Sequence, residues 1–282
     1  MKFLVLLLVL ALRRLDFTWP QWMLDRHRVS QVLDRWRDKV DPFGLAGVVR
    51  WLVLVALPVL VVALVLALLH DILWGLPGFI AGGLLLLWLL GGESEFRHVD
   101  DLLVRSRMND PARLAEGAEA HFGMAGAPED PGYFGALLRR VLQQDARQLF
   151  ATIFWLLTLG YWAALLYVLN LAMLRNDDED RQGPAWMMHT ALFWMPARLL
   201  VLCLALAGDF GRVADVVRGR ILQLDNSEAL LNDAAAAALD IPALDSVDAE
   251  QGPSQLEALQ SMLLRCLAIW LILGALWTVL AG

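Results

Sequence analysis

Residues able to do chemistry are few and widely spaced in this 282-residue chain. No Walker loop, GxSxG elbow, HExxH pair or CxxC pair occurs, so phosphate cradling, serine acyl transfer and zinc hydrolysis lack their usual motifs. Of the five histidines, His27, His70, His98, His121 and His189, none has a second histidine or cysteine three or four residues on. The nearest thing to a cluster is His98 with Asp100 and Asp101, a spacing that also suits a hydrated helix face. The acidic run NDDED at Asn176–Asp180 offers carboxylates to a divalent ion, or is simply a solvated loop. Cys203 and Cys266 each sit in an apolar run that suggests neither a disulfide framework nor a zinc site. No metal and no cofactor is expected.

The chemically conspicuous residues lie instead where charge is costly. Ala185–Gly208 reads AWMMHTALFWMPARLLVLCLALAG, long and apolar enough for a bilayer yet holding His189, Pro196 and Arg198. An isolated arginine at the bilayer centre costs at least ~2.5–3.5 kcal/mol, and a proline at 196 removes the helical partner of the Leu192 carbonyl. Both are tolerable in a bent, protein-buried or re-entrant element, because freed backbone groups are then satisfied by protein. Arg198 is therefore expected to face the bundle interior, partnered by Asn170, by carbonyls freed at the kink, or by an anionic ligand. It is either a scaffold pin or a ligand-binding cation. Asn170, an amide late in an apolar run, is expected to be satisfied by a neighbouring helix or to line a pocket.

The elements that must position these groups follow from composition. Hydrophobic residues make up 59% of the chain, above the ~45–50% of an ordinary soluble domain, and mean hydropathy is +0.55. The class is an all-α, polytopic membrane helical bundle. A net charge of −7 disfavours nucleic-acid binding, and 19% charged residues require substantial water-facing material. Spans are expected at 51–69, 72–92, 149–174 and 266–282, with 185–208 as the bent or re-entrant segment. The opening MKFLVLLLVLAL, followed by Arg13 and Arg14, has its charge after the apolar stretch, opposite to a signal peptide, and is expected to be a retained short helix.

Orientation follows from the basic residues. Between Arg13 and Arg50 stand eight Lys/Arg residues against Asp16, Asp25, Asp34, Asp38 and Asp41, which places this segment in the cytoplasm, with the His70–Asp71 hairpin outside and 93–147 back in the cytoplasm. Trp19, Trp22, Trp51, Trp74, Trp88, Trp186, Trp194 and Trp277 fall near the proposed span ends, as interfacial anchors would. In residues 22–40 the apolar Val29, Val32, Leu33, Trp36 and Val40 share one helix face, making a basic amphipathic helix. It is expected either to dock on anionic headgroups or to lie against the protein's own bundle. Asp110–Pro111 is a cap and first-turn proline, so PARLAEGAEAHF opens a helix, and the loop 123–132 ends it. From Tyr133 a polar amphipathic helix runs into the third span. Residues 209–262 form a helical acidic loop.

The order of these elements resembles that of the AmpE family, bacterial inner-membrane proteins associated with β-lactamase induction. The residues that carry the likeness are the apolar start, the basic helix MLDRHRVSQVLDRWRDKV, the close pair of spans, LVRSRMNDPARLAEGAEAHFG, FWLLTLGYWAALLYVLN and WMPARLL. Such proteins in turn look like distant relatives of the CobD/CbiB synthases, membrane enzymes that form an amide in cobalamin assembly. Phe154, Trp155, Asn170, Pro196, Ala197, Arg198 and Leu199 match that pattern. Where it expects carboxylates before the Phe-Trp, this sequence is read as offering Arg139, Gln143, Gln144 and Arg147. Metal and base chemistry wants carboxylates, so synthase activity is not expected. The residues left as ligand-binding candidates are Arg198, Asn170, Arg147 and Gln144; none is assigned a catalytic role.

The resemblance implies a multi-pass protein of the bacterial inner membrane, a sensor or regulator tied to β-lactamase induction and peptidoglycan recycling. Its partners would be the bilayer with its anionic headgroups and a peptidoglycan-recycling amidase or small anionic ligand; a homo-oligomer stays open. The alternative is a CobD/CbiB-type enzyme acting on a small anionic or nucleotide-linked substrate. A transporter is disfavoured, since neither an internal repeat nor paired broken helices are evident.

Overall fold

The computed structural model describes residues 2–14, 28–40, 43–44, 47–70, 76–91, 94–108, 110–176, 183–223 and 226–281. Among the described residues the secondary structure is helical throughout, as the composition requires. His27, Asp71, Trp19, Trp22, Trp74 and most of the NDDED run lie outside them. Helical stretches long and apolar enough to cross a bilayer are Gly47–Leu69, Pro77–Arg107, Pro184–Ala207 and Gly252–Leu280. The protein is thus an all-α membrane protein. The helices divide into two compact units, one of residues 1–94 and 151–193, the other of 95–150 and 194–282.

The first unit opens with α1 (Lys2–Arg14), α2 (Arg28–Val40) and α3 (Gly47–Trp51), which passes through a π-helical turn, Leu52–Ala56, into α4 (Leu57–His70). After α5 (Leu76–Leu90) the unit resumes with α9 (Ala151–Thr158), α10 (Tyr161–Asn176) and the first part of α11 (Pro184–Ala207). The apolar opening is built into this unit. Val5, Leu6 and Val9 of α1 are buried, and α1 packs along α5. Buried Arg13 donates Nε to the Gly91 carbonyl and Nη2 to that of Leu90, both 2.9 Å, capping the C-terminus of α5 where helix carbonyls lack partners. The basic helix rests on its own bundle: Val29, Leu33 and Val40 are buried, and α2 packs on α10 and the π turn. Trp36 Nε1 donates to Val53 O at 3.2 Å, inside that turn, where the wider hydrogen-bond register leaves backbone groups to be met from outside.

The stretch 149–174, read as one span, is divided. Its helix ends at Thr158, with the amides of Leu159 and Gly160 both donating to Trp155 O, at 3.0 and 2.9 Å. Gly160 sits at φ 102°, a conformation that glycine adopts without a Cβ clash, and α10 starts at the next residue and packs against α9. Tyr161 then lies so close to Gly82 of α5 that a Cβ there would stand 2.6 Å from its ring.

The second unit holds α6 (Glu95–Arg107), α7 (Pro111–Phe122), α8 (Tyr133–Asp145) with its π-helical continuation Ala146–Phe150, the rest of α11, α12 (Phe210–Val217), α13 (Ser227–Ala238) and α14 (Gly252–Ala281). The expected start of α7 is present: the Asp110 side chain accepts from Arg113 N, Pro111 opens the first turn, and Gly123 closes the helix at φ 63°. At the centre stands α8, whose Leu137, Leu138, Val141 and Leu142 are fully buried against α7, α13, α14 and the 3-10 turn Leu244–Ser246. The terminal helix is longer than the apolar run 266–282. Its polar start is held by Gln260, which donates Nε2 to Phe96 O at 2.9 Å and to Asp100 Oδ1 at 2.8 Å.

Candidate functional site

Pro196 lies inside α11, which continues as one helix from Pro184 to Ala207. The carbonyl that this proline leaves without a helical donor is Leu192 O, and Trp155 Nε1 takes it at 3.1 Å. The proline is therefore satisfied by an indole, not by the arginine two residues after it.

Arg198 points into the second unit, only 5% exposed. Its Nε donates to Ile221 O at 3.0 Å, Nη1 to Ser227 Oγ and, at 3.5 Å, to Trp194 O, and Nη2 to Gln223 O. Its guanidinium carbon lies 5.1 Å from the centroid of the Trp194 ring, and Trp194 Nε1 donates to the same Gln223 carbonyl at 3.1 Å. One side chain thus gathers the segment that follows α12 onto the middle of α11. A planar guanidinium suits this task, because its fixed fork of donors reaches several carbonyls at once.

Arg147, in the π-helical continuation of α8, arrives at the next residue. Its Nη2 pairs with Glu228 Oε1, so Arg198 and Arg147 hold Ser227 and Glu228, the first two residues of α13. Gln144 lies one turn before Arg147 and is buried, with partners of its own. Between them stands Asp145, a wholly buried carboxylate that the reading of this stretch as Arg and Gln passed over.

Asn170 belongs to a different network. Its Oδ1 accepts from Trp51 Nε1 at 2.8 Å and its Nδ2 donates to Ala185 O at 3.0 Å, so the amide ties α3, α10 and the start of α11. The expectation that Asn170 partners Arg198 is corrected: the amide bonds an indole and a carbonyl of its own unit, and Arg198 bonds Ile221, Gln223 and Ser227. Trp51 and Trp194, expected as interfacial anchors, donate their N–H groups to protein acceptors, Trp51 at a buried position and Trp194 at an exposed one.

His98 and His121 stack with centroids 4.1 Å apart, joining α6 to α7, and His189 stacks on Phe193 at 5.3 Å. Among the described residues no group of three His, Cys, Asp or Glu is placed to hold a metal ion. An open cleft beside α12, bordered by Asp215, Ile241 and Pro242 and closed on one side by the Arg212–Asp240 ion pair, includes none of the four expected ligand residues. What the arrangement brings together is two cations with the N-terminus of α13 and with Ile221 and Gln223. The signal that could have pointed to Ser227 and Glu228 is their place at the start of a helix after the polar residues Asp225 and Asn226, but nothing in the sequence names the arginines they meet.

A family model described as regulatory signalling modulator protein AmpE matches residues 1–217 of the chain. No curated protein and no solved structure matches it. The likeness to the CobD/CbiB synthases is not among these findings. The match contains Arg147, Asn170, Trp155 and Arg198 but ends before Ile221, Gln223, Ser227 and Glu228, which Arg198 and Arg147 hold.

Proposed function

The chain belongs to the AmpE family of regulatory signalling modulators, and from that premise we propose that it modulates β-lactamase induction from the bacterial inner membrane, in step with peptidoglycan recycling. The single observation that carries this reading is the family match over most of the chain. The geometry supports a regulatory element rather than a reaction centre. The donors of Arg198 engage backbone carbonyls and a serine hydroxyl, so the group can hold or release Ile221, Gln223 and Ser227, whose position another protein or a ligand can read. The signal that releases it is an anionic recycling product or an amidase partner. Deleting the gene in a host with an inducible chromosomal β-lactamase tests the reading. Induction by a sub-inhibitory β-lactam changes in the deletion strain and returns with the wild-type gene; unchanged induction contradicts the proposal.

A second reading, a membrane enzyme of the CobD/CbiB type, is favoured by one observation: Asp145 supplies a buried carboxylate one residue before a π-helical turn, a feature often found at functional sites. Its test is growth of a cobalamin-synthase deletion strain carrying this gene. The regulatory reading expects no rescue.

A further inference from the structure

Residues 210–222 carry apolar surface that the protein does not cover. In α12, Val213 and Val217 are buried in the second unit, whereas Phe210 is 58%, Val216 40% and Leu222, just beyond the helix, 79% exposed. Over 209–222 three arginines, Arg212, Arg218 and Arg220, stand against two aspartates, Asp209 and Asp215. Arg212 is shared by Asp209 and Asp240, and Arg220 pairs with Asp233 at 2.7 Å, leaving Arg218 exposed at the end of α12.

The level at which this segment leaves α11 is marked independently. Arg265 Nη1 donates to Ala207 O at 3.4 Å, placing the C-terminus of α11 beside the last charged residue of α14. Beyond Arg265 no charged residue follows in the chain, and Ile272, Leu273, Leu276 and Trp277 stand exposed, a surface that only hydrocarbon suits. The exposed stripe of α11, Met195, Leu202 and Leu206, leads across Asp209 to Phe210. The segment therefore emerges where α14 passes from water into lipid, with large apolar side chains outward and arginines among them, the pattern of a helix lying in the interface plane.

We infer that residues 210–222 form a lipid-docking segment, with Phe210, Val216 and Leu222 inserted at the headgroup–acyl boundary and Arg218 on anionic headgroups. The docked segment contains Ile221 and runs directly into Gln223, so the bilayer and Arg198 both hold it.

The test uses the full-length protein, with Cys203→Ala and Cys266→Ala, reconstituted in nanodiscs containing phosphatidylglycerol. A polarity-sensitive fluorophore is placed by Leu222→Cys, and by Glu129→Cys on an exposed loop as the reference. The Leu222 label is expected to emit at shorter wavelength and to be quenched by headgroup-region spin-labelled lipid at least about twofold more than the Glu129 label. Equal wavelength and equal quenching at the two positions overturns the inference, as does protection of Leu222 that appears only when a second protein is added. The same reading at Phe210→Cys decides the matter if the Leu222 variant fails to reconstitute. Arg218→Glu should reduce the quenching in phosphatidylglycerol discs and leave it unchanged in phosphatidylcholine discs.

Discussion

Trp155 donates its indole N–H to the carbonyl of Leu192 at 3.1 Å, and that carbonyl is the one Pro196 deprives of its helical donor. A buried polar group without a partner costs ~1–3 kcal/mol, so the tryptophan is what makes the proline tolerable in this helix. Trp155→Phe should lower stability in detergent by about that amount. In a Pro196→Ala background, where residue 196 regains an N–H for Leu192, the same change should cost clearly less. A thermal-melting double-mutant cycle with no coupling between the two positions would contradict the pairing.

Arg198 and Asn170 have separate partners, so their effects should add. Arg198→Ala removes the side-chain donor of Ile221 O and leaves Gln223 O with Trp194 Nε1 alone, while Asn170→Ala leaves Trp51 Nε1 without its acceptor and removes the side-chain donor to Ala185 O. Each should destabilise by roughly 1–3 kcal/mol, and the double variant by about the sum. A double variant no less stable than either single would restore the shared network that the sequence suggested.

Release of the segment should be visible by hydrogen exchange. In Arg198→Ala, amides around 218–227 are expected to exchange faster than in the wild type, and those of α10 to keep their rates, because opening there is local. Arg147→Ala should loosen the start of α13 through loss of the Glu228 pair. Faster exchange confined to α10 would contradict the assignment.

Gly135 is where α8 meets the turn Leu244–Ser246: a Cβ there would lie 2.6 Å from the Leu244 carbonyl oxygen and 2.8 Å from the Asp245 Cα. Backbone cannot step aside as a side-chain tip can, so Gly135→Ala should lose about 1–3 kcal/mol despite alanine's better helix propensity. A melting temperature at or above wild type would show the turn to be freely displaced.

Local chemistry was legible in the sequence. The Asp110 cap, Pro111 and Gly123 announced α7, and of the α2 face read from Val29, Val32, Leu33, Trp36 and Val40 the structure buries Val29, Leu33 and Val40 but leaves Val32 exposed. The break at Gly160 was hidden because an apolar run bounded by apolar residues carries no period to interrupt. Trp51 and Trp194 were read as interfacial anchors since position near a span end is all that sequence gives; the oxygens they meet, on Asn170 and Gln223, belong to distant elements, as does the Leu192 carbonyl met by Trp155, which was read only as part of the Phe-Trp motif. Arg198 was rightly expected to face protein, from the cost of a charge in lipid. Its partners, 23 to 29 residues onward, depend on how the chain returns after α12, which no local rule states.

In the regulatory account the segment that Arg198 holds is the part that is read, and the most direct measurement is β-lactamase induction in a deletion strain carrying Arg198→Ala, with membrane levels of the variant matched to wild type. The account predicts induction indistinguishable from the deletion strain, with Arg198→Lys between the two because a lysine reaches only part of the same carbonyl set. Wild-type induction from a normally abundant Arg198→Ala protein would contradict it.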